Sequence, residues 1–190
     1  MFLLDKFAQV SSIRDARHFV AYTPDTGRGF FRRIVPCGFK LIEQSGADLG
    51  ARLANISRGL FEKGFKKVIM LDSDTPTLPL FYIKVGLMAL DSSDVVIGPC
   101  EDGGYYLIGL NAPAPEIFKD IPWSTPEVTN VTMNKALDLG LSVEMLEMWY
   151  DVDTGDDLRR LKKDLESAPR YGEGKLMCKN TYGAMSKLDI

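Results

Sequence analysis

The chain has 190 residues, 45% hydrophobic and 26% charged, with a formal net charge of -3. That is the size of one globular domain able to bury a core without staples, and three cysteines with no C-x-x-C pair exclude a disulfide framework and a zinc knuckle. The single histidine, His18, excludes H-E-x-x-H and every other multi-histidine metal site.

The apolar pattern alternates helix and strand. Met1–Val10 carries Phe2, Leu3, Leu4, Phe7 and Val10 at helical spacing and predicts a helix. His18–Thr23 reads as a short strand, Pro24–Gly27 as a turn, and Phe39–Glu43 as a second strand. From Asp48 to Phe61, Leu49, Leu53, Ile56, Leu60 and Phe61 mark an amphipathic helix that closes at Gly64. Val68–Leu71 is continuously apolar, as in a strand buried on both faces of a parallel sheet. Pro79–Leu90 predicts a helix too apolar to lie open to water, and Val95–Ile97 and Tyr105–Leu110 are further buried strands. Ser124-Thr-Pro-Glu127 has capping-box form and predicts a helix from there to Leu139, stopped by Gly140. Ser142–Leu146 is a last strand, and Thr154–Asp157 caps a helix ending near Leu165. Residues 1–165 are expected to form the domain, and 166–190 a tail or edge packing. This alternation predicts a three-layer α/β sandwich with a mostly parallel sheet.

No apolar run is long enough to span a bilayer. Met1-Phe-Leu-Leu lacks the basic start and long apolar stretch of a signal peptide, so a cytoplasmic location is expected. The bland net charge hides a division: residues 72–157 carry three Lys/Arg against sixteen Asp/Glu, a balance of -13, between basic ends. An acidic middle repels nucleic-acid phosphates, so no such partner is expected. It suits hard divalent cations, which take carboxylate oxygens. A solvated acidic face with carboxylates at helix N-termini would read the same way.

The chemistry sits where buried strands end. Asp72 and Asp74 follow Val68–Leu71, and residues two apart in an extended chain share a face. Two adjacent anions there repel unless something neutralises them, and a Mg²⁺ or Mn²⁺ bridging nucleotide phosphates would do so. A capping Asp beside a turn Asp is the plain alternative. After Val95–Ile97 comes Cys100-Glu-Asp102-Gly103-Gly104, whose glycines let backbone approach a phosphate or sugar, or simply make a tight turn between two strands. Cys100 itself reads as packing, because Glu101 and Asp102 oppose its ionisation. Asp151 and Asp153 repeat the paired-carboxylate pattern before a helix, where at least one could be an N-cap. In an open sheet such strand ends lie along one edge, where ligands bind, so their conjunction predicts one site. Trp123-Ser124-Thr125 could line an acceptor pocket or close a helix cap. Gln44 and Arg52 could place polar groups near a phosphate or belong to a solvated helix start. His18 reads as structural, and without a G-x-S-x-G elbow a Ser-His-Asp hydrolase loses its support.

Asp72–Pro79, Gly98–Gly109, Ile121–Thr125 and Trp149–Thr154, in this order, resemble the nucleotide-diphospho-sugar transferase family of bacteria and archaea, glycosyltransferases of the GT-A, Rossmann-like fold. Gln44-x-Gly46-x-Asp48-Leu-Gly50-x-Arg52 matches the same family upstream, and the likeness covers residues 1–165. A more distant similarity is to the 2-phospholactate guanylyltransferase and molybdenum-cofactor nucleotidyltransferase groups. The resemblance implies a metal-dependent transferase using a sugar nucleotide or nucleoside triphosphate with Mg²⁺ or Mn²⁺ and an undefined acceptor. Glycosyl transfer is the first reading, and nucleotidyl transfer releasing pyrophosphate the alternative. It further implies that Asp74 is the principal metal ligand, with Asp72 assisting or holding the nucleotide. Asp153, with Asp151, supplies the second carboxylate. Asp102, Gly103 and Gly104, with Trp123, Ser124 and Thr125, line the donor or acceptor pocket.

Members of the family open with a strand and a Gly-x-x-Lys-Thr-Arg-like loop that cradles phosphates, whereas Met1–Asp5 matches the helix after that loop. The resemblance therefore implies a missing first strand and phosphate loop, with sheet edges left unpaired. A non-catalytic binding protein that keeps the fold without the loop is the third reading.

Overall fold

The computed structural model describes residues 1–167 and 178–188. It is built around two neighbouring strands, β4 (Val95–Pro99) and β5 (Tyr105–Leu110). Val95, Val96, Ile97, Tyr106, Leu107 and Leu110 have no exposed surface, which is why both segments read as continuous apolar runs. β3 (Val68–Leu71) pairs antiparallel with β5, and β6 (Val143–Met145) pairs parallel with β4, giving the order β3-β5-β4-β6. β3, β4 and β6 thus share one direction and β5 opposes them. A separate parallel pair joins β1 (Phe19–Tyr22) to β2 (Lys40–Glu43).

Alternate side chains on these strands feed two apolar layers. Ile69, Leu71, Val96 and Leu107 pack with Val10 and Ile13 of the α1 segment and with Ile83 of α4. Helix α1 is Phe2–Ser11 and α4 is Leu80–Ala89. On the opposite face Met70, Ile97, Ile108 and Leu110 pack against Leu53 of α3 (Leu49–Glu62) and Ala136 of α5 (Val128–Asp138), with Ile117 and Phe118 from the 3₁₀ turn Pro115–Phe118. Helix–sheet–helix layering is the expected three-layer α/β sandwich, and its sheets are parallel only in part. Helix α2 (Arg28–Ile34) follows β1 by way of a 3₁₀ turn at Asp25–Gly27, and α6 (Gly155–Ser167) follows the last strand. A short α7 (Lys179–Met185) joins Leu161, Leu165 and Cys178 in a satellite cluster against Phe2. Of the stretch 166–190 assigned to a tail or edge packing, residues 168–177 and 189–190 lie outside the described residues.

Three local expectations are corrected. The helix expected from Ser124 begins only at Val128, because Ser124 adopts φ 62° and Thr125 bonds back to the Pro122 carbonyl at 2.7 Å instead of capping. It ends as expected, with Gly140 at φ 76° and the Gly140 N–H donating to Leu137. Helix α4 is not enclosed: Phe81 and Met88 are 62% and 70% exposed, since only the flank bearing Ile83 and Gly86 meets the sheet. Helix α2 has no counterpart among the expected elements, its sequence Arg-Gly-Phe-Phe-Arg-Arg-Ile carrying no buried residue to set a period.

Leu107→Ala removes a fully buried side chain from the central strand and is expected to lower unfolding free energy by about 2–5 kcal/mol. Phe81→Ala is expected to change it by less than about 1 kcal/mol. Urea denaturation of the two variants checks both.

Candidate functional site

Three chain segments converge at the carboxyl ends of the parallel strands. β3 runs straight into Asp72-Ser73-Asp74, and the Asp72 N–H still donates to the Tyr106 carbonyl of the sheet (3.1 Å). β4 ends in a tight hairpin, Cys100–Gly104, closed by the Cys100 N–H donating to Gly104 (2.9 Å). Beyond β6 the chain continues alongside β4. The Leu146 N–H donates to Ile97 (2.8 Å), the Trp149 N–H to Pro99 (3.0 Å), and the Glu101 N–H donates back to Trp149 (3.0 Å). That pairing delivers Asp151 and Asp153 beside the hairpin, and the Val152 N–H donates to the Asp74 carbonyl (3.1 Å), fastening the segments together.

The hairpin depends on Gly103. Its φ is +93°, and a Cβ there would meet the Pro126 carbonyl oxygen at 2.2 Å. Asp102 steadies the same turn by accepting from the Gly104 N–H at 2.8 Å. Potential ligand atoms of Cys100, Asp102 and Asp151 lie within 4.8 Å of one another. Asp74 and Asp153 stand around this group.

The electrostatics are those of crowded anions. Burial first, then Asp102, Asp153 and Asp74, push the Asp151 carboxyl up to about 6. Asp153 is raised by burial, then by Asp74, Asp102 and Asp157. Burial pushes Asp72 to about 7, opposed by Lys6 and reinforced by Asp74. The Cys100 thiol is pushed up by burial and by Asp151, Asp72, Asp102 and Asp74, so it stays protonated at neutral pH.

Asp72 is held from behind. Lys6, buried on α1, donates to Asp72 Oδ1 (3.2 Å), to the Thr75 carbonyl (3.0 Å) and to Thr75 Oγ1 (2.7 Å), while the Thr75 hydroxyl donates to the same Asp72 oxygen (2.7 Å). Asp72 Oδ2 is buried without a hydrogen-bond partner. The N-cap of α6 falls to Thr154, whose hydroxyl accepts from the Asp157 N–H (3.2 Å) and donates to the Asp157 carboxylate (2.7 Å), so Asp153 is not used as a cap. On the outer rim Glu101 accepts a two-pronged bond from Arg160 (2.6 and 2.9 Å), whose guanidinium lies 4.0 Å from the centre of the Tyr150 ring.

Asp72, Asp74, Asp102, Gly103, Gly104, Asp151 and Asp153 are therefore brought together. Trp123, Ser124 and Thr125 belong to the loop that packs on the hairpin through Pro126, with Trp123 edge-on to Tyr105 at 6.3 Å. Gln44 donates to the Ala21 carbonyl (3.0 Å) and Arg52 weakly to Gly46 (3.5 Å), and both line a cavity that also touches Asp72. His18 stacks on Phe39 (4.9 Å). Sequence reasoning missed Lys6, Thr75 and the Glu101–Arg160–Tyr150 clamp. A signal for Lys6 was present: it shares the apolar stripe of Leu3, Phe7 and Val10, where an unpaired lysine would not be tolerated.

The α/β layering is that of nucleotidyltransferase- and glycosyltransferase-like folds. A structure from Desulfovibrio desulfuricans G20, described as a "putative nucleotide-diphospho-sugar transferase", is 28% identical, covers 99% of this chain and 85% of its own, and superposes with a TM-score of 0.77. The fold is shared with two further solved structures. One is CMP:2-keto-3-deoxy-manno-octonic acid synthetase complexed with CTP, at 12% identity, coverage of 84% of this chain and 85% of that one, and TM-score 0.60. The other is 2-C-methyl-D-erythritol 4-phosphate cytidylyltransferase from Thermus thermophilus, at 18% identity, coverage of 83% and 86%, and TM-score 0.52. Residues 6–125 match the family described as "Uncharacterized protein conserved in bacteria (DUF2064)", and the chain belongs to that family. No curated protein sequence matches it. No helix among the described residues is long and apolar enough to cross a membrane.

The raised Asp151 carboxyl carries a signed consequence. Its folded value of about 6 exceeds the ordinary 3.8, so the folded state binds this proton more tightly than the unfolded one. Its ionisation therefore costs stability as pH rises from about 4 through 6. Asp151→Asn is expected to raise the urea midpoint relative to the parent at pH 8, and to lose that advantage at pH 4.

Proposed function

We propose that this chain is a metal-dependent transferase acting on a nucleotide-linked substrate, with glycosyl transfer from a sugar nucleotide as its reaction. One observation carries the reading: Asp72, Asp74, Asp102, Asp151 and Asp153, from three separate strand ends, are gathered in one acidic cluster, where burial first and neighbouring carboxylates second raise Asp72, Asp151 and Asp153. Such an arrangement is unfavourable by itself and is relieved by a cation. The similarity to the Desulfovibrio structure supports the substrate class.

The donor set fits Mg²⁺ or Mn²⁺, which prefer carboxylate oxygens; a protonated thiol such as Cys100 is a poor ligand for either. Asp74 and Asp153 would hold the ion, with Asp151 and Asp102 at its side. The bound ion supplies charge neutralisation for the nucleotide's phosphates and leaving group. Asp72, engaged by Lys6 and Thr75, fixes the loop that presents Asp74. The Gly103–Gly104 turn offers close backbone approach for the donor, and Trp123, Ser124 and Thr125 border the acceptor side.

Calorimetric titration with sugar nucleotides and nucleoside triphosphates in the presence of Mn²⁺ tests the proposal. Binding is expected for the parent, and Asp74→Asn should weaken it at least about tenfold, or 1.4 kcal/mol. Undiminished binding by Asp74→Asn, or none by the parent, overturns it. Release of free nucleoside diphosphate marks glycosyl transfer; release of pyrophosphate marks nucleotidyl transfer instead.

A further inference from the structure

Helix α2 and strand β2 are joined by the turn Pro36–Phe39, in which Gly38 takes φ 95° and the Phe39 N–H donates to the Pro36 carbonyl (3.3 Å). Where helix, turn and strand meet lies a recess of about 450 Å³. Arg28 and Arg32, four apart and therefore on one flank of α2, line it from the helix. Lys40, the first residue of β2, lines it from the strand, and the half-buried Val35 and Leu41 give it an apolar wall.

The three cations have no counter-charge. No acidic residue lines the recess. Among the described residues, the side chains of Arg28, Arg32 and Lys40 form no ion pair and no hydrogen bond. Asp25 instead accepts from the Thr26 N–H (2.7 Å), and Glu43, three positions along β2, points to the other face of the strand from Lys40. Other cations of the molecule are matched: Lys6 with Asp72, Lys67 with Asp91, Arg159 with Asp156 and Arg160 with Glu101. Three like charges around one concavity repel one another, and an anion entering it relieves that repulsion.

The recess is remote from the carboxylates. Lys40 pairs with Phe19 at the start of the parallel β1–β2 ladder, and the Phe19 ring meets Phe65, just before β3, at 5.5 Å. It therefore lies at the amino ends of the strands, whereas Asp72 and its neighbours follow their carboxyl ends.

We propose that this recess is a binding site for a small, soluble phosphate monoester, held by Arg28, Arg32 and Lys40. A monoester carries about -1.5 to -2 charge at neutral pH and presents several strong acceptor oxygens. Each guanidinium fork engages two oxygens and the lysine adds a point charge, whereas a carboxylate, with one charge, occupies a single fork. Val35 and Leu41 border the organic part. A bilayer offers the same headgroup chemistry, but cations converging in a recess suit a free ligand better than a flat surface. Bound there, the ligand bridges α2 to β2. That helix has no buried residue and rests on contacts such as Phe31 against the Tyr22 ring (5.7 Å), so the bridge secures a lightly held element. The inference goes beyond the transferase reading and uses none of its carboxylates.

Titration with inorganic phosphate and glycerol 3-phosphate, in EDTA so that no cation draws phosphate to the acidic pocket, tests it. Cys37 lines the recess and is exposed, while Cys100 and Cys178 are buried, so the rate of alkylation by uncharged iodoacetamide reports occupancy. Both compounds are expected to slow that rate saturably. At ten times its Kd, glycerol 3-phosphate should slow amide exchange of Gly29–Ile34 about tenfold and leave α6 unchanged. Arg32→Ala and Lys40→Ala should each weaken binding at least about tenfold. Arg33→Ala, the same charge loss on the same helix but outside the recess, should leave it unaltered. An equal loss in Arg33→Ala marks diffuse charge attraction and overturns the proposal. So does acetate binding as tightly as phosphate, an absence of saturable protection, or binding only to vesicles containing phosphatidic acid.

Discussion

Burial of carboxylates at the end of a dry sheet, reinforced by their mutual repulsion, is the constraint on which the rest of this structure depends. Asp72, Asp151 and Asp153 all have raised carboxyl values, and burial leads the cause in each case. No single strand could impose this. It takes the anhydrous centre of β4 and β5 to fix the hairpin, the pairing of residues 146–149 along β4 to carry Asp151 inward, and the Val152–Asp74 bond to lock the third segment. The stabilisation comes from apolar burial below the site and is partly offset at its surface.

Around that pocket the polar groups have two different tasks. Lys6 and Thr75 satisfy one oxygen of Asp72 and leave the other buried and unpartnered. Arg160 instead occupies the outer rim, where Glu101 and the Tyr150 ring hold it about half exposed. The inner cation stabilises the pocket, whereas the outer one contributes little energy and mainly fixes the hairpin to α6.

The strands are the most legible part of the fold. Val68–Leu71 and Tyr105–Leu110 can be read to the residue, because each is an unbroken apolar run, although in β3 only Val68 is fully buried. The antiparallel course of β5 is not legible as such: Asp102-Gly-Gly104 suits either a ligand loop or a hairpin, and here it turns β4 into an antiparallel β5. The start of α5 escapes the pattern because a capping box specifies spacing, not the backbone conformation of Ser124. Within the pocket, carboxylates two apart after a strand are visible in sequence. Cys100 is buried as its neighbours suggest, yet its closeness to Asp102 and Asp151 arises from strand pairing between Cys100 and Trp149, far apart in the chain, which no local pattern encodes. Lys6 depends on the same kind of contact, with Asp72 66 positions away.

Asp5, next to Lys6, points the other way. Its carboxylate accepts from the Asn180 N–H (3.0 Å), the Asn180 side-chain amide (2.8 Å) and the Thr181 N–H (2.7 Å) at the start of α7. Two consecutive residues of α1 thus tie the last helix among the described residues to the acidic pocket. Asp5 acquires its partners only after Asn180 and Thr181 have been translated. Until then the lysine that steadies Asp72 rides on a helix whose far side is unsecured.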